Sequence, residues 1–335
     1  MSAQPVNAAI LGLGWWGRTI VNTMRDSEAL RIIAAFDPDP AVAEIAARVG
    51  LVMAASFDEI LRDPAITAVI LCTPHTMHAA QIGRAAEAGK HVFCEKPLCL
   101  TRAEAATAIA ACQRAGVQLG IGHERRFEPP ILELRRMVEA GDLGTLLQIE
   151  ANFSQDKFLA LPADNWRLSG AEAPAGPMTA TGIHLLDLAV SFLGPVDNVL
   201  ANVRQLGSNL ANGDTLAALL AFRSGANAML TAILATPFDG RFAIYGSQGW
   251  AEVRDKAHPE KSEGWTLTTS IRGQDRTTTV FPPAPAVRTN LEAFATAVAG
   301  GAAYPVPTDQ MLDTIAAFEA VVRSSRSRAI EAVTG

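Results

Sequence analysis

Gly12-Leu13-Gly14-Trp15-Trp16-Gly17 spells G-x-G-x-x-G directly after the apolar run Asn7-Ala8-Ala9-Ile10-Leu11. A dinucleotide needs that spacing for three reasons. The first glycine permits a tight turn, the second lets the backbone approach a pyrophosphate, and the third lets a helix pack close to the strand. The helix opening there turns free N–H groups and its positive dipole end toward the phosphates. Asp37 lies twenty residues past Gly17 and closes the run Arg31-Ile32-Ile33-Ala34-Ala35-Phe36. A carboxylate at that place accepts hydrogen bonds from ribose hydroxyls and repels a 2′-phosphate, so NAD is the expected cofactor and NADP is disfavoured. Trp15 and Trp16 also read simply as large apolar residues packing at the helix start.

Lys96 and His184 have the side chains for hydride and proton chemistry. Glu95-Lys96-Pro97 follows the run His91–Cys94 at the carboxyl edge of the expected sheet, where open α/β sheets bind ligands. An ammonium there can sit beside a substrate hydroxyl and stabilise alkoxide character as hydride leaves carbon. The bland reading is a lysine exposed on a loop. His184 can take a hydroxyl proton near neutral pH, although before Leu185-Leu186 it reads in isolation as a core residue. Asp187, three residues on, either orients that ring or caps and solvates a helix. His75 and His78 have a metal-compatible spacing but no third ligand nearby, so no metal site is expected.

The scaffold for these groups is written in two styles. Short β-branched runs alternate with Ala-rich helical stretches up to about residue 120, the pattern of βαβ units around a parallel sheet. Strands are expected at 7–11, 31–36, 68–72, 91–94 and 117–121, with a helix over 15–24. Ser56 with Glu59 and Thr101 with Glu104 form capping boxes, and Gly89 stops a helix through Ile82 and Ala86. From residue 123 the character changes. Ile131, Leu134 and Val138 share a helical face that Gly141 ends. Strands are then expected at 146–153, 196–203, 215–222, 226–234, 241–245, 265–271 and 277–281, with Arg223-Ser224-Gly225 as a hairpin turn. Two helices close the chain, one through Leu291, Phe294 and Val298. The other is capped by Thr308 and carries Met311, Ile315, Phe318 and Val322. The expectation is an α/β protein: a Rossmann dinucleotide-binding domain over 1–122, then an α+β domain over 123–335 with a large open mixed or antiparallel sheet. Residues 215–222 and 226–234 are apolar on both faces, and a homodimer or homotetramer would cover them.

Composition narrows the rest. The 335 residues are 49% apolar and 19% charged, enough for a sizeable core and too apolar for wholesale disorder. Lys plus Arg number 28 against 34 Asp plus Glu, with no basic cluster, which argues against nucleic acid or an anionic membrane as the main partner. No apolar run approaches the roughly 20 residues that span a bilayer. Met1-Ser2-Ala3-Gln4-Pro5 has no basic stretch before its broken apolar run, so a signal peptide is not expected. Cys72, Cys94, Cys99 and Cys112 form no CxxC pair and read as reduced thiols in a cytoplasmic protein.

Several segments together resemble the glucose–fructose oxidoreductase, inositol dehydrogenase and rhizopine-catabolism family (Gfo/Idh/MocA). They are Gly12–Gly17, Cys72-Thr73-Pro74-His75-Thr76-Met77-His78, Ala88-Gly89-Lys90-His91-Val92-Phe93-Cys94-Glu95-Lys96-Pro97-Leu98, Arg125-Arg126-Phe127, Ala140–Gly144, Gly182-Ile183-His184-Leu185-Leu186-Asp187 and Ile244–Gly249. The resemblance implies NAD-dependent, reversible oxidation of a secondary hydroxyl of a sugar, sugar acid or cyclitol. In that role Lys96 polarises the oxygen, His184 is the acid/base, and Glu95 and Pro97 shape the turn. Thr73, Pro74, His75 and His78 would lie against the nicotinamide half of the cofactor. His123, Trp166, Arg167 and Thr181 would face substrate, with packing as the alternative for Trp166 and Arg167. A cis Lys96-Pro97 bond is implied as well. Where the family pairs an Asp with the histidine four residues later, this chain has Ala180 before His184. That departure keeps two other readings in view: a redox-neutral, glycosidase- or lyase-like enzyme with NAD held throughout, and a non-catalytic nucleotide sensor.

Overall fold

The computed structural model describes residues 4–334, so the reading of Met1–Ala3 lies outside it. The chain divides into two compact units, Met1–Glu124 with Pro285–Met311, and Arg125–Ala284 with Leu312–Gly335.

The first unit runs β1 (Val6–Leu11), α1 (Trp15–Met24), β2 (Leu30–Phe36), α2 (Ala43–Arg48), β3 (Val52–Met53), α3 (Phe57–Arg62), β4 (Ala68–Leu71), α4 (His78–Glu87), β5 (His91–Cys94), α5 (Arg102–Ala115) and β6 (Leu119–Ile121). Its six strands lie in the order β3-β2-β1-β4-β5-β6, every pair parallel, the doubly wound arrangement expected. Thr101 and Glu104 close a full capping box on α5. At Ser56 only half forms: its hydroxyl accepts from Glu59, whose carboxylate turns to the Ala55 N–H instead. Gly89, at φ +71°, takes the left-handed position past α4.

The second unit runs α6 (Pro129–Glu139), β7 (Leu146–Ser154), α7 (Ile183–Leu193), β8 (Val196–Arg204), β9 (Thr215–Phe222), β10 (Asn227–Ile233), β11 (Asp239–Gly246), β12 (Gly249–Asp255), β13 (Trp265–Ile271) and β14 (Thr277–Phe281). After α8 (Ala286–Val298) and α9 (Thr308–Ser327), β15 (Glu331–Ala332) adds one more edge strand. The nine strands order as β14-β13-β12-β11-β7-β10-β9-β8-β15, antiparallel except for the β7–β10 pair. The mixed open sheet is therefore as expected; β12 and β15 carry no clear strand signal in the sequence, because Gly249–Asp255 has charges at Glu252 and Arg254 and β15 is two residues long. On α6, Met137 rather than Val138 joins Ile131 and Leu134 in the core.

The expected contiguous boundary at 122/123 needs one correction. The first break comes after Glu124, and Pro285–Met311 returns to the first unit. There α8 lays Leu291, Phe294 and Ala295 on the face of the parallel sheet that α1 also covers, with the Phe294 ring 5.6 Å from Phe93. Asn290 and the Tyr304 hydroxyl both donate to the Ile121 carbonyl at the end of β6. The periodicity of Leu291, Phe294 and Val298 shows an amphipathic helix, but not which sheet it lies on.

Candidate functional site

The three glycines after β1 meet three different surroundings. At Gly12, φ is +90° and a Cβ would stand 2.6 Å from the Cys72 carbonyl oxygen. At Gly17 a Cβ would overlap the Gly12 carbonyl, whereas at Gly14 it would meet nothing within 4 Å. The loop is thus sealed on the protein side and open at its middle glycine, as a pyrophosphate requires. No side chain caps α1 and no acidic residue stands in its first turn, which leaves its dipole end available to an anion. Asp37 fixes the loop from the next strand, its Oδ2 accepting from the Leu13 N–H at 2.7 Å and its Oδ1 from the Asp39 N–H at 2.9 Å. Trp15 is 47% exposed, and Trp16 packs as a partly buried side chain against the unit's core.

The carboxyl ends of β4 and β5 carry the next group. The Thr73 hydroxyl donates to Gln81 at 2.6 Å. His78 is fully buried, with Nδ1 2.9 Å from the Pro97 carbonyl and Nε2 3.0 Å from the Thr73 carbonyl. It therefore ties the two turns together from beneath. His75 packs edge-on against it at 5.7 Å. Lys96-Pro97 is cis, and Lys96 is half-buried. The other lysine of the same segment is turned inward: buried Lys90 donates to the Asp63 and Ile66 carbonyls, both at 2.7 Å. Glu95 is buried against Gly122, where a Cβ would stand 2.5 Å from its Oε2. His123 is also buried, at 2% exposure. Burial pushes the Cys94 thiol well above its ordinary range and those of Cys99 and Cys112 to about 12 and about 11, so none of these three is a ready nucleophile.

In the second unit His184 sits at 6% exposure one residue into α7. The backbone before it, Met178–Gly182, is a π-helical turn, a form that concentrates at functional sites. Thr181 is buried and its hydroxyl donates back to Pro177 at 3.3 Å; the Thr179 hydroxyl donates to Pro174. Asp187 forms a buried two-pronged pair with Arg126, Nε to Oδ2 and Nη2 to Oδ1 both at 2.7 Å. Trp166 and Arg167 stack on each other at 4.2 Å, in a short turn where the Asn165 Oδ1 accepts from the Arg167 N–H. Asn212 holds the same segment by donating to the Arg167 and Ala173 carbonyls.

Phe153, at the end of β7, was not anticipated. Its ring lies 6.0 Å from that of His184, 6.0 Å from His258 and 6.1 Å from Phe238, with the Arg125 guanidinium 5.2 Å over it. Arg125 is wholly buried and bonded to Asp255 and Glu128. Asp255 and Asp187 stand 130 and 61 residues from their arginines, and nothing local in the sequence pairs them.

Burial, reinforced by the Glu124 charge, pushes the Glu95 carboxyl up to about 8, so it is protonated at neutral pH. The unfolded chain would release that proton near the ordinary carboxylate range. Its contribution to stability is therefore full in acid and lost as pH rises toward 8. Glu95→Gln should remove the loss: the thermal midpoint of the variant, relative to the parent protein, should climb steadily from about pH 5 to about pH 8. A constant gap across that range would show Glu95 ionised.

Comparison with known proteins agrees with this architecture. Residues 6–123 match the family model described as GFO/IDH/MocA oxidoreductase family, NAD-binding Rossmann fold, and residues 131–252 match the GFO/IDH/MocA C-terminal domain. A scyllo-inositol 2-dehydrogenase (NAD(+)) of Bacillus subtilis is 33% identical over 73% of this chain and 72% of its own length. A D-xylose 1-dehydrogenase (NADP(+)) of Haloferax volcanii is 27% identical over 96% and 97%. One further Bacillus subtilis relative, the uncharacterized oxidoreductase YrbE, is 33% identical but matched over only 60% of its length. Among solved structures, an aldose-aldose oxidoreductase from Caulobacter crescentus superimposes with TM-score 0.85 at 27% identity, covering 98% of this chain and all of that one.

Proposed function

The chain belongs to the Gfo/Idh/MocA oxidoreductase family, and from that premise we propose that it is an NAD-dependent dehydrogenase for a secondary hydroxyl of a sugar, sugar acid or cyclitol. The observation that carries the reading is the loop open only at Gly14, at the uncapped start of α1, with Asp37 fixed beside it. A nicotinamide dinucleotide bound there supplies the hydride acceptor. Lys96 polarises the substrate oxygen and stabilises its growing negative charge. His184 takes the hydroxyl proton and returns it in the reverse direction. Thr73, Pro74, His75 and the Glu95–Pro97 turn flank the nicotinamide half, with His78 holding their backbone in place. His123, Trp166 and Arg167 are the side chains for the substrate wall, whereas the Thr181 hydroxyl is engaged by Pro177. Named relatives use NAD in one case and NADP in another, so the preference rests on the Asp37 carboxylate. The reduced cysteines suit a cytoplasmic enzyme.

Lys96→Met should leave NADH binding within about twofold and cut turnover by at least about a hundredfold in a panel of sugars, sugar lactones and cyclitols. Unaltered turnover would refute its role. NAD should bind at least about tenfold tighter than NADP, and Asp37→Ser should narrow that gap. Equal affinities in the unaltered protein would count against the assignment.

The outer face of the nine-stranded sheet points to self-association. Leu200, Leu219 and Met229 lie in register across β8, β9 and β10 and are 43%, 48% and 43% exposed. A second copy covering this strip makes the protein a dimer or tetramer. Light scattering at micromolar concentration should give at least twice the 35.4 kDa chain mass, and Leu219→Lys should lower it. A monomeric mass for the unaltered protein would overturn this.

A further inference from the structure

Gln155, Lys157, His258 and Glu260 form a polar cluster that the proposed chemistry does not use. His258 Nδ1 is 2.9 Å from the Lys157 ammonium and 3.2 Å from the Glu260 N–H. Both neighbours can only donate, so Nδ1 is bare and the ring proton sits on Nε2. That nitrogen lies 2.6 Å from the Gln155 side-chain oxygen and donates to it. His258 is thus a neutral imidazole in one defined tautomer. Lys157 is held on its other side by an ion pair with Glu260. The imidazole packs edge-on to Phe238 at 5.3 Å and against Phe153, the ring that His184 also touches.

The segment these contacts hold is anchored at its far end by Asn212, which donates to the Arg167 carbonyl. From 156 to 170 every side chain is half-buried or exposed, so apolar packing orders this stretch less firmly than the buried strands beside it. This stretch leads from Phe153 to Trp166 and Arg167. We propose that His258 is a positioning residue for the substrate wall: its bare Nδ1 latches Lys157 and so fixes the segment from Gln155 to Arg167 beside the Phe153–His184 face. The link to substrate rests on the dehydrogenase reading; the latch itself rests on the contacts.

The groups facing His258 set its response to pH. Lys157 and Arg125 oppose a positive ring, while Glu260 and Asp255 favour one. Burial, with Lys157 adding to it, holds the imidazole below its ordinary range. The latch is complete above that range and is lost as pH falls through the lowered value, because a proton on Nδ1 would face the Lys157 ammonium.

The test is amide hydrogen exchange on the full-length protein, with His258→Phe, which keeps a ring against Phe153 and Phe238, and the exposed Lys157→Met. Both variants should lose at least about tenfold protection across 156–168 while the strands of the same sheet stay protected. The Kd for NADH should stay within about twofold. For any polyol the panel shows to be oxidised, KM should rise at least about tenfold with kcat within about threefold. The parent protein's rise in KM toward acid should vanish in His258→Phe. Unchanged protection in Lys157→Met would overturn the latch even if His258→Phe misfolds. If no polyol is turned over, the dehydrogenase reading fails while exchange still decides the latch.

Discussion

Gly17 has no room for a side chain because the Gly12 carbonyl occupies the space. That close approach lets α1 leave β1 with its first N–H groups bare, pointing past the sheet's carboxyl edge. The hydrogen bond from Leu13 to Asp37 then couples this turn to β2. Loop shape, bare helix end and the Asp37 carboxylate are one mechanical assembly, and the order β3-β2-β1-β4-β5-β6 places the β4 and β5 turns on the same edge.

The second unit solves a different problem, holding a histidine rigidly inside a nearly apolar helix. Nine of the eleven residues of α7 are buried, and its one carboxylate is neutralised by Arg126 with two short bonds. A buried charge survives only when its partner's geometry is this good. Arg125, the adjacent residue, is matched in the same way by Asp255 and Glu128. These pairs set where Phe153 and α7 lie, and hence the surroundings of His184.

Local chemistry carried most of the first unit into view. The glycine spacing, the capping residues at Thr101 and the run of β-branched strands each act over a few residues, and the structure follows them closely. Candidate groups on such signals, from Gly12 to Lys96, lie on turns at one sheet edge. What stayed hidden depends on distant partners. The pairing of Asp187 with Arg126, 61 residues earlier, is one such contact. His258 lies in a polar stretch, Ala257–Gly264, with no periodicity, and only the fold sets it near Lys157, 101 residues earlier. Thr181 looked available, yet its hydroxyl turns back on its own helix.

The return of α8 to the first sheet has a consequence for biosynthesis. The end of β6 leaves the ribosome 169 residues before Asn290 arrives to cover it, and Phe93 waits longer still for Phe294. The nucleotide-binding unit therefore stays unfinished while the whole nine-stranded sheet, apart from its last short edge, is being made. During that interval an apolar groove stands open for chaperones, and a chain cut short before residue 285 would keep it open permanently.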